Sequence, residues 1–162
     1  MGDNPRVPTR LLATRTQNVP VDVERLLRGL PEWFGIEHSL LEYVEDARRL
    51  PTYVVRDPGD GAIVGALLVK RHFAQAAEVQ LMAVDRHWHR RGVGRALLRA
   101  VESDLRKEGV RFLQVKTLSD SHSDENYALT RRFYLAEGFT PLEEFRDLWD
   151  AGNPCLQLVK SL

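Results

Sequence analysis

Cysteine is nearly absent. The 162 residues hold one, Cys155, so no disulfide can close within the chain, and a reducing compartment is the expectation. An excess of either charge is absent too. Lysine plus arginine number 23 and aspartate plus glutamate 23, which removes the signature of a binder dominated by attraction to nucleic-acid phosphate. No apolar run approaches the ~20 residues that cross a bilayer. The opening MGDNPRVPTR lacks the apolar core of a signal peptide, and Arg6 stands where a myristoylation signal prefers serine or threonine. No repeat or low-complexity stretch occurs. These absences point to a soluble cytoplasmic protein with neither nucleic acid nor membrane as partner. What is present is 43% hydrophobic residues, enough to core one domain over 1–162, with 1–9 as a flexible tail.

Periodicity and turn chemistry order the elements. RLLATRT (10–16) reads as a strand, followed by helices near 20–29 and 37–49, the second carrying Leu40, Leu41, Val44 and Ala47 near helical spacing. TYVVRD and AIVGALLVKRHF flank PGDG (58–61) and read as a hairpin. AEVQLMAV (77–84) is a strand, and a long helix ends before Gly109. VRFLQVKTL is a strand, and DENYALTRRFYLAE is a helix stopped by Gly138. Strands near 139–148 and 155–160 close the chain. The order β-α-α-β-β-β-α-β-α-β-β predicts a mixed α/β sheet.

HWHRRGVGRALL (87–98) lies between a strand and the long helix. Glycine is costly inside a helix but useful at its first turn, where free backbone amides face an anion without a side chain in the way. Gly92 and Gly94 suit that role, with Arg90, Arg91 and Arg95 adding charge. Val93, Leu97, Val101 and Leu105 form an apolar stripe for the core. The pattern fits a pyrophosphate. It is not a P-loop, because no Gly-Lys-Ser/Thr follows, and Leu97 stands where a dinucleotide fingerprint wants a small residue.

The run His89-Arg90-Arg91-Gly92-Val93-Gly94 resembles the acetyl-coenzyme A loop of the GNAT superfamily of N-acetyltransferases, with His89 where that family prefers glutamine or arginine. LMAV (81–84) resembles the strand that precedes the family's loop. ENYALTRRFYLAEGF resembles its last coenzyme-contacting helix through Asn126, Phe133-Tyr134 and Gly138-Phe139. The resemblance implies a mostly antiparallel mixed central sheet of about six to seven strands flanked by about four helices. It implies acetyl-CoA as co-substrate, no metal, and transfer of an acetyl group to a primary amine of a small molecule or peptide by direct attack in a ternary complex. A homodimer stays open, as do a catalytically silent coenzyme-binding regulatory module and a non-enzymatic interaction domain.

Such chemistry needs a donor for the developing oxyanion and an acid for the leaving thiolate. Tyr134 is the candidate acid, since a phenol of pKa about 10 keeps its proton at pH 7. It shares a helical stripe with Asn126 and Thr130, read as facing the coenzyme, while Leu129, Phe133 and Ala136 form the core stripe. The resemblance assigns coenzyme contacts to Met82, Ala83 and Val84, to His89, Arg90, Arg91, Gly92, Val93, Gly94 and Arg95, and to Asn126, Thr130 and Tyr134. Glu78 is the candidate base, with a water chain as alternative. Strict alternation puts Glu78, Gln80, Met82 and Val84 on one face. In LPEWFGI (30–36), Glu32, Trp33 and Phe34 are candidates to hold the acceptor amine through a carboxylate and ring faces. Cys155 reads as a packed small residue, Ser123 as a helix cap, and His87 with His89 lack a third metal ligand.

Overall fold

The computed structural model describes residues 10–162; the expected tail at 1–9 lies outside them. Seven strands form one sheet in the order β1-β2-β3-β4-β5-β7-β6. They are β1 (Ala13–Thr16), β2 (Thr52–Arg56), β3 (Ile63–Phe73), β4 (Ala76–Val84), β5 (Phe112–Leu118), β6 (Thr140–Asp150) and β7 (Asn153–Ser161). Every pairing is antiparallel except β4 with β5. The helices are α1 (Pro20–Arg28), α2 (Glu37–Arg49), α3 (Val93–Lys107) and α4 (Glu125–Ala136). Among the described residues, no helix is long and apolar enough to cross a membrane.

Alternation along the inner strands feeds two cores. Tyr53, Val55, Leu67 and Val69 face α3, against Val93, Leu97, Val101 and Leu105, so the predicted α3 stripe is buried. Val54, Ala66 and Leu68 face the other way, against Val23, Leu27, Leu40 and Val44 of α1 and α2. Gly65 sets how closely α3 approaches: a Cβ there would lie 2.4 Å from Val93 Cγ1.

Two irregularities in β4 and its pairing shape the sheet around the glycine stretch. Val79 pairs with Val69 and Leu81 with Leu68, so Gln80 has no partner and β4 bulges there. The bulge reverses the facing of every later residue. Ala77 and Val79 belong to the α3 core, and Met82 and Val84 pack against that core too, while Leu81 and Ala83 join the α1–α2 core. The expectation that Glu78 shares a face with Met82 and Val84 is therefore corrected: Glu78 alternates with Ala77 and Val79 and lies on the α1–α2 face. The second irregularity is a splay. β4 and β5 pair in parallel from Ala76↔Phe112 to Val79↔Val115 and then diverge.

Candidate active site

The splay opens into a cavity of about 690 Å³. Its floor is the diverging backbone, Val79–Val84 on one side and Val115–Thr117 on the other. The glycine stretch, α4 and the loop before α2 supply the walls, and Trp149 of β6 reaches it from the far edge.

The glycine stretch enters through a short 3-10 turn at Arg86–Trp88, capped by the Asp85 carboxylate accepting from the His87 amide. Gly92 holds φ +82°, the left-handed conformation that favours glycine, and starts α3 with no side-chain cap. Ala96 makes the first helical bond, to Gly92 O, so the amides of Val93, Gly94 and Arg95 have no intrahelical acceptor at the cavity wall. Gly94 has a packing reason beyond ligand approach: a Cβ there would sit 3.1 Å from Phe133 Cζ and 3.8 Å from Met82 Cε. His89 lines the cavity, but its Nε2 is spent on Val84 O at 2.8 Å, tying the loop to the end of β4. Arg90 and Arg132 line the cavity, as does Arg95, which donates to Glu137 Oε1 at 2.8 Å. Arg91 does not; its guanidinium lies over the Trp88 ring.

On α4 the N-cap is Asp124, whose carboxylate accepts from the amides of Asn126 and Tyr127, and not Ser123. The helix turns Tyr127, Thr130 and Tyr134 toward the cavity at i, i+3, i+7. Asn126 is a residue out of that register and does not line it. Leu129, Phe133 and Ala136 border the cavity as well, and Leu129 is 47% exposed, so the expected core stripe is not one. Tyr134 is the buried residue of α4, 4% exposed, held edge-on between Phe133 and Phe139. Burial pushes its hydroxyl well above the ordinary tyrosine pKa, so it keeps its proton. Burial pushes the Tyr127 hydroxyl up to about 12; it donates to Trp33 O at 2.8 Å. Thr117, 4% exposed, has a buried hydroxyl in the cavity wall with no hydrogen-bond partner among the described residues.

The loop before α2 contributes Trp33 and Phe34 but not Glu32. Arg86 Nη2 lies 2.7 Å from both Glu32 oxygens, which holds that exposed carboxylate outside the lining and below the usual carboxylate range. The Trp33 indole donates to Thr130 Oγ1 at 3.2 Å, and Phe34 meets Tyr43 edge-on.

Glu78 is 6% exposed and also outside the lining. Its carboxylate pairs with His72 Nε2 and accepts from Gln114 Nε2 at 3.2 Å and Lys116 Nζ at 3.0 Å. Cys155 is buried nearby, and burial pushes its thiol up to about 11, far from a reactive thiolate. Sequence reasoning missed Tyr43, Lys116, Thr117, Tyr127, Arg132 and Trp149. Tyr127 was within reach, one step along the quoted helix; Lys116 and Thr117 needed the splay, which no local pattern encodes.

The family profile described as acetyltransferase (GNAT) domain matches residues 40–141. Over 90 residues the chain is 31% identical to mycothiol acetyltransferase of Beutenbergia cavernae, covering 56% of this chain and 28% of that protein. A GNAT-family protein from Desulfovibrio desulfuricans superposes with a TM-score of 0.80 at 20% identity, over 94% of this chain and 99% of the other. A GNAT acetyltransferase from Elizabethkingia anophelis, solved with acetyl-CoA bound, gives 0.69 at 16% identity, over 95% and 99%. The structural likenesses speak for the fold, and the profile, which spans more than half of the sequence and takes in β4, the glycine stretch and α4, settles the rest: this chain belongs to the GNAT acetyltransferase family.

Proposed function

We propose that the protein moves an acetyl group from acetyl-CoA to a primary amine by direct attack, with both substrates bound together. The observation that carries this reading is the splay of β4 from β5, open along its length to the uncapped start of α3 at one end and to Tyr134 in its wall. The cavity fits the coenzyme by its donor set. Three free amides and two arginines, Arg90 and Arg132, suit the phosphates. The backbone of Met82, Ala83 and Val84 and the partnerless Thr117 hydroxyl suit the amide-bearing arm.

The coenzyme supplies an acetyl group activated as a thioester. The amine nitrogen bonds the acetyl carbon, the carbon–sulfur bond breaks, nitrogen gives up one proton and sulfur takes one. Tyr134 is the donor to sulfur, kept protonated by burial. Water takes the proton from the amine. Glu78 is set back from the cavity with its oxygens already accepting from three side chains, which supports water over direct proton abstraction by that carboxylate. Trp33 and Phe34 flank the acceptor.

Calorimetry with acetyl-CoA, paired with thiol release over an amine panel, tests the reading. Gly94→Glu drives a side chain into Phe133 and sets a negative charge beside the phosphates; it should abolish binding. Unchanged affinity in that variant removes the loop as the phosphate cradle. Binding without turnover on any amine favours the silent regulatory module, and no binding at all favours the interaction domain.

A further inference from the structure

We infer that the acceptor is an amine carrying an apolar or aromatic body and a carboxylate, as an α-amino acid does, and is not a polycation. The inference rests on the acetyltransferase reading.

The charges that line the cavity divide by location. Arg90 and Arg95 belong to the glycine stretch, and Arg132 and Glu137 to α4 and its end, with Glu137 already held by Arg95. Lys116 stands apart on β5. Its neighbour two residues back, Gln114, also donates to Glu78, which puts both on the α1–α2 face of the sheet. Trp33, Phe34 and Tyr43 pack against the core on that same face, and Tyr127 and Trp149 complete an aromatic lining.

Glu78 holds the Lys116 ammonium from behind. It takes one of the three lysine N–H donors, while Lys116 stays a quarter exposed. Two donors remain, on a side chain that belongs to the cavity lining. Among the described residues, the one carboxylate that lines the cavity is Glu137, held by Arg95; Glu32 is held by Arg86, Asp46 accepts from Gln80, and both lie outside the lining. A polyamine or aminoglycoside would have to desolvate several ammonium groups here without partners and beside a like charge. A carboxylate would gain charge-assisted hydrogen bonds from Lys116. The same cation disfavours the ammonium form of an amine held near it, which raises the share of the neutral nucleophile.

The test uses matched amines at saturating acetyl-CoA, read by thiol release. Phenylalanine is set against phenethylamine and leucine against 3-methylbutylamine, with spermidine and kanamycin as polycations. The wild type should favour the carboxylate-bearing member by about tenfold to a hundredfold in kcat/KM, the worth of one or two charge-assisted hydrogen bonds. Lys116→Met should collapse that ratio and Lys116→Arg should keep most of it. Comparing ratios between variants cancels the difference in amine basicity, and thermal melts of each variant report folding. Equal use of the decarboxylated amines by the wild type overturns the inference. So does preferred use of a polycation, a ratio unchanged in Lys116→Met, or no turnover of any apolar amino acid by a protein that acetylates other amines. Loss of acetyl-CoA binding in the wild type would instead strike the acetyltransferase reading itself.

Discussion

The backbone N–H of Phe139 donates to Tyr134 O at 3.0 Å, and the two rings meet edge-on with centroids 5.3 Å apart. Gly138, at φ +92°, makes this possible by ending α4 in a left-handed turn, its own N–H donating to Leu135 O. The helix-end motif folds Phe139 back onto Tyr134, so the phenol is positioned by local backbone geometry as well as by packing. Tyr134→Phe keeps the ring and both neighbours. With Tyr134 as the acid, kcat should fall by about 10²–10⁴ while the melting temperature and acetyl-CoA affinity hold. Near-wild-type turnover in that variant would leave the tyrosine a packing element and water the donor.

The buried phenols also set how stability responds to alkali. An unfolded tyrosine loses its proton near pH 10, while burial holds the proton on Tyr134 to higher pH. Above pH 10 the unfolded chain therefore binds fewer protons than the folded one, and stability falls as pH rises. Tyr43, Tyr53 and Tyr127 shift in the same direction, and the Cys155 thiol adds its share from about pH 9 upward. Tyr134 alone should contribute a loss of about 1 kcal/mol for each pH unit above 10. Denaturant melts at pH 8, 9.5 and 10.5 would read this, with a shallower decline in Tyr134→Phe; a flat profile would contradict the assigned burial.

The sequence made the element order and the glycine stretch legible because both rest on local signals: periodicity, turn residues, and a helix start that only glycine permits. Gly138 announced the end of α4 in the same way. The roles of Glu78 and Glu32 were harder to read for a physical reason. The bulge at Gln80 reverses the facing of half a strand, and nothing in AEVQLMAV marks it. Glu32 carries the right chemistry in the right loop, but its partner Arg86 lies 54 residues away. Lys116 looks like an ordinary strand lysine until the parting of β4 and β5 exposes it.

Gly65 offers a stability test tied to the site. Alanine there would bring a methyl 2.4 Å from Val93 Cγ1 and 3.3 Å from Leu97 Cδ1, at the first turn of α3. Overpacking of this kind costs about 1–3 kcal/mol. Because α3 must shift at the end that carries the free amides, acetyl-CoA affinity should fall as well. Trimming the obstacle in Gly65→Ala/Val93→Ala should recover part of the affinity. Gly61→Ala is the control: it is strained at φ +77° with open space around its Cβ, and should lose stability without losing affinity. Equal affinity in Gly65→Ala and wild type would separate α3 docking from coenzyme binding.

Glu78→Gln distinguishes a proton acceptor from an anchor for Lys116. Glutamine retains an oxygen for Lys116 Nζ, but its amide nitrogen then confronts the other side of the network, where Gln114 donates and His72 pairs with the carboxylate. One buried polar group is left poorly matched, at a cost of about 1–3 kcal/mol. As an anchor, Glu78 acts on where the ammonium sits, so the variant should raise KM for the acceptor by several fold. The acidic limb of the kcat–pH profile should remain, because water and not this carboxylate takes the amine proton. As a base, Glu78 would behave differently: kcat would drop by about 10² or more and the acidic limb would vanish. Measuring kcat and KM separately across pH 5.5–9 decides between the two, and loss of the limb would return Glu78 to the chemical step.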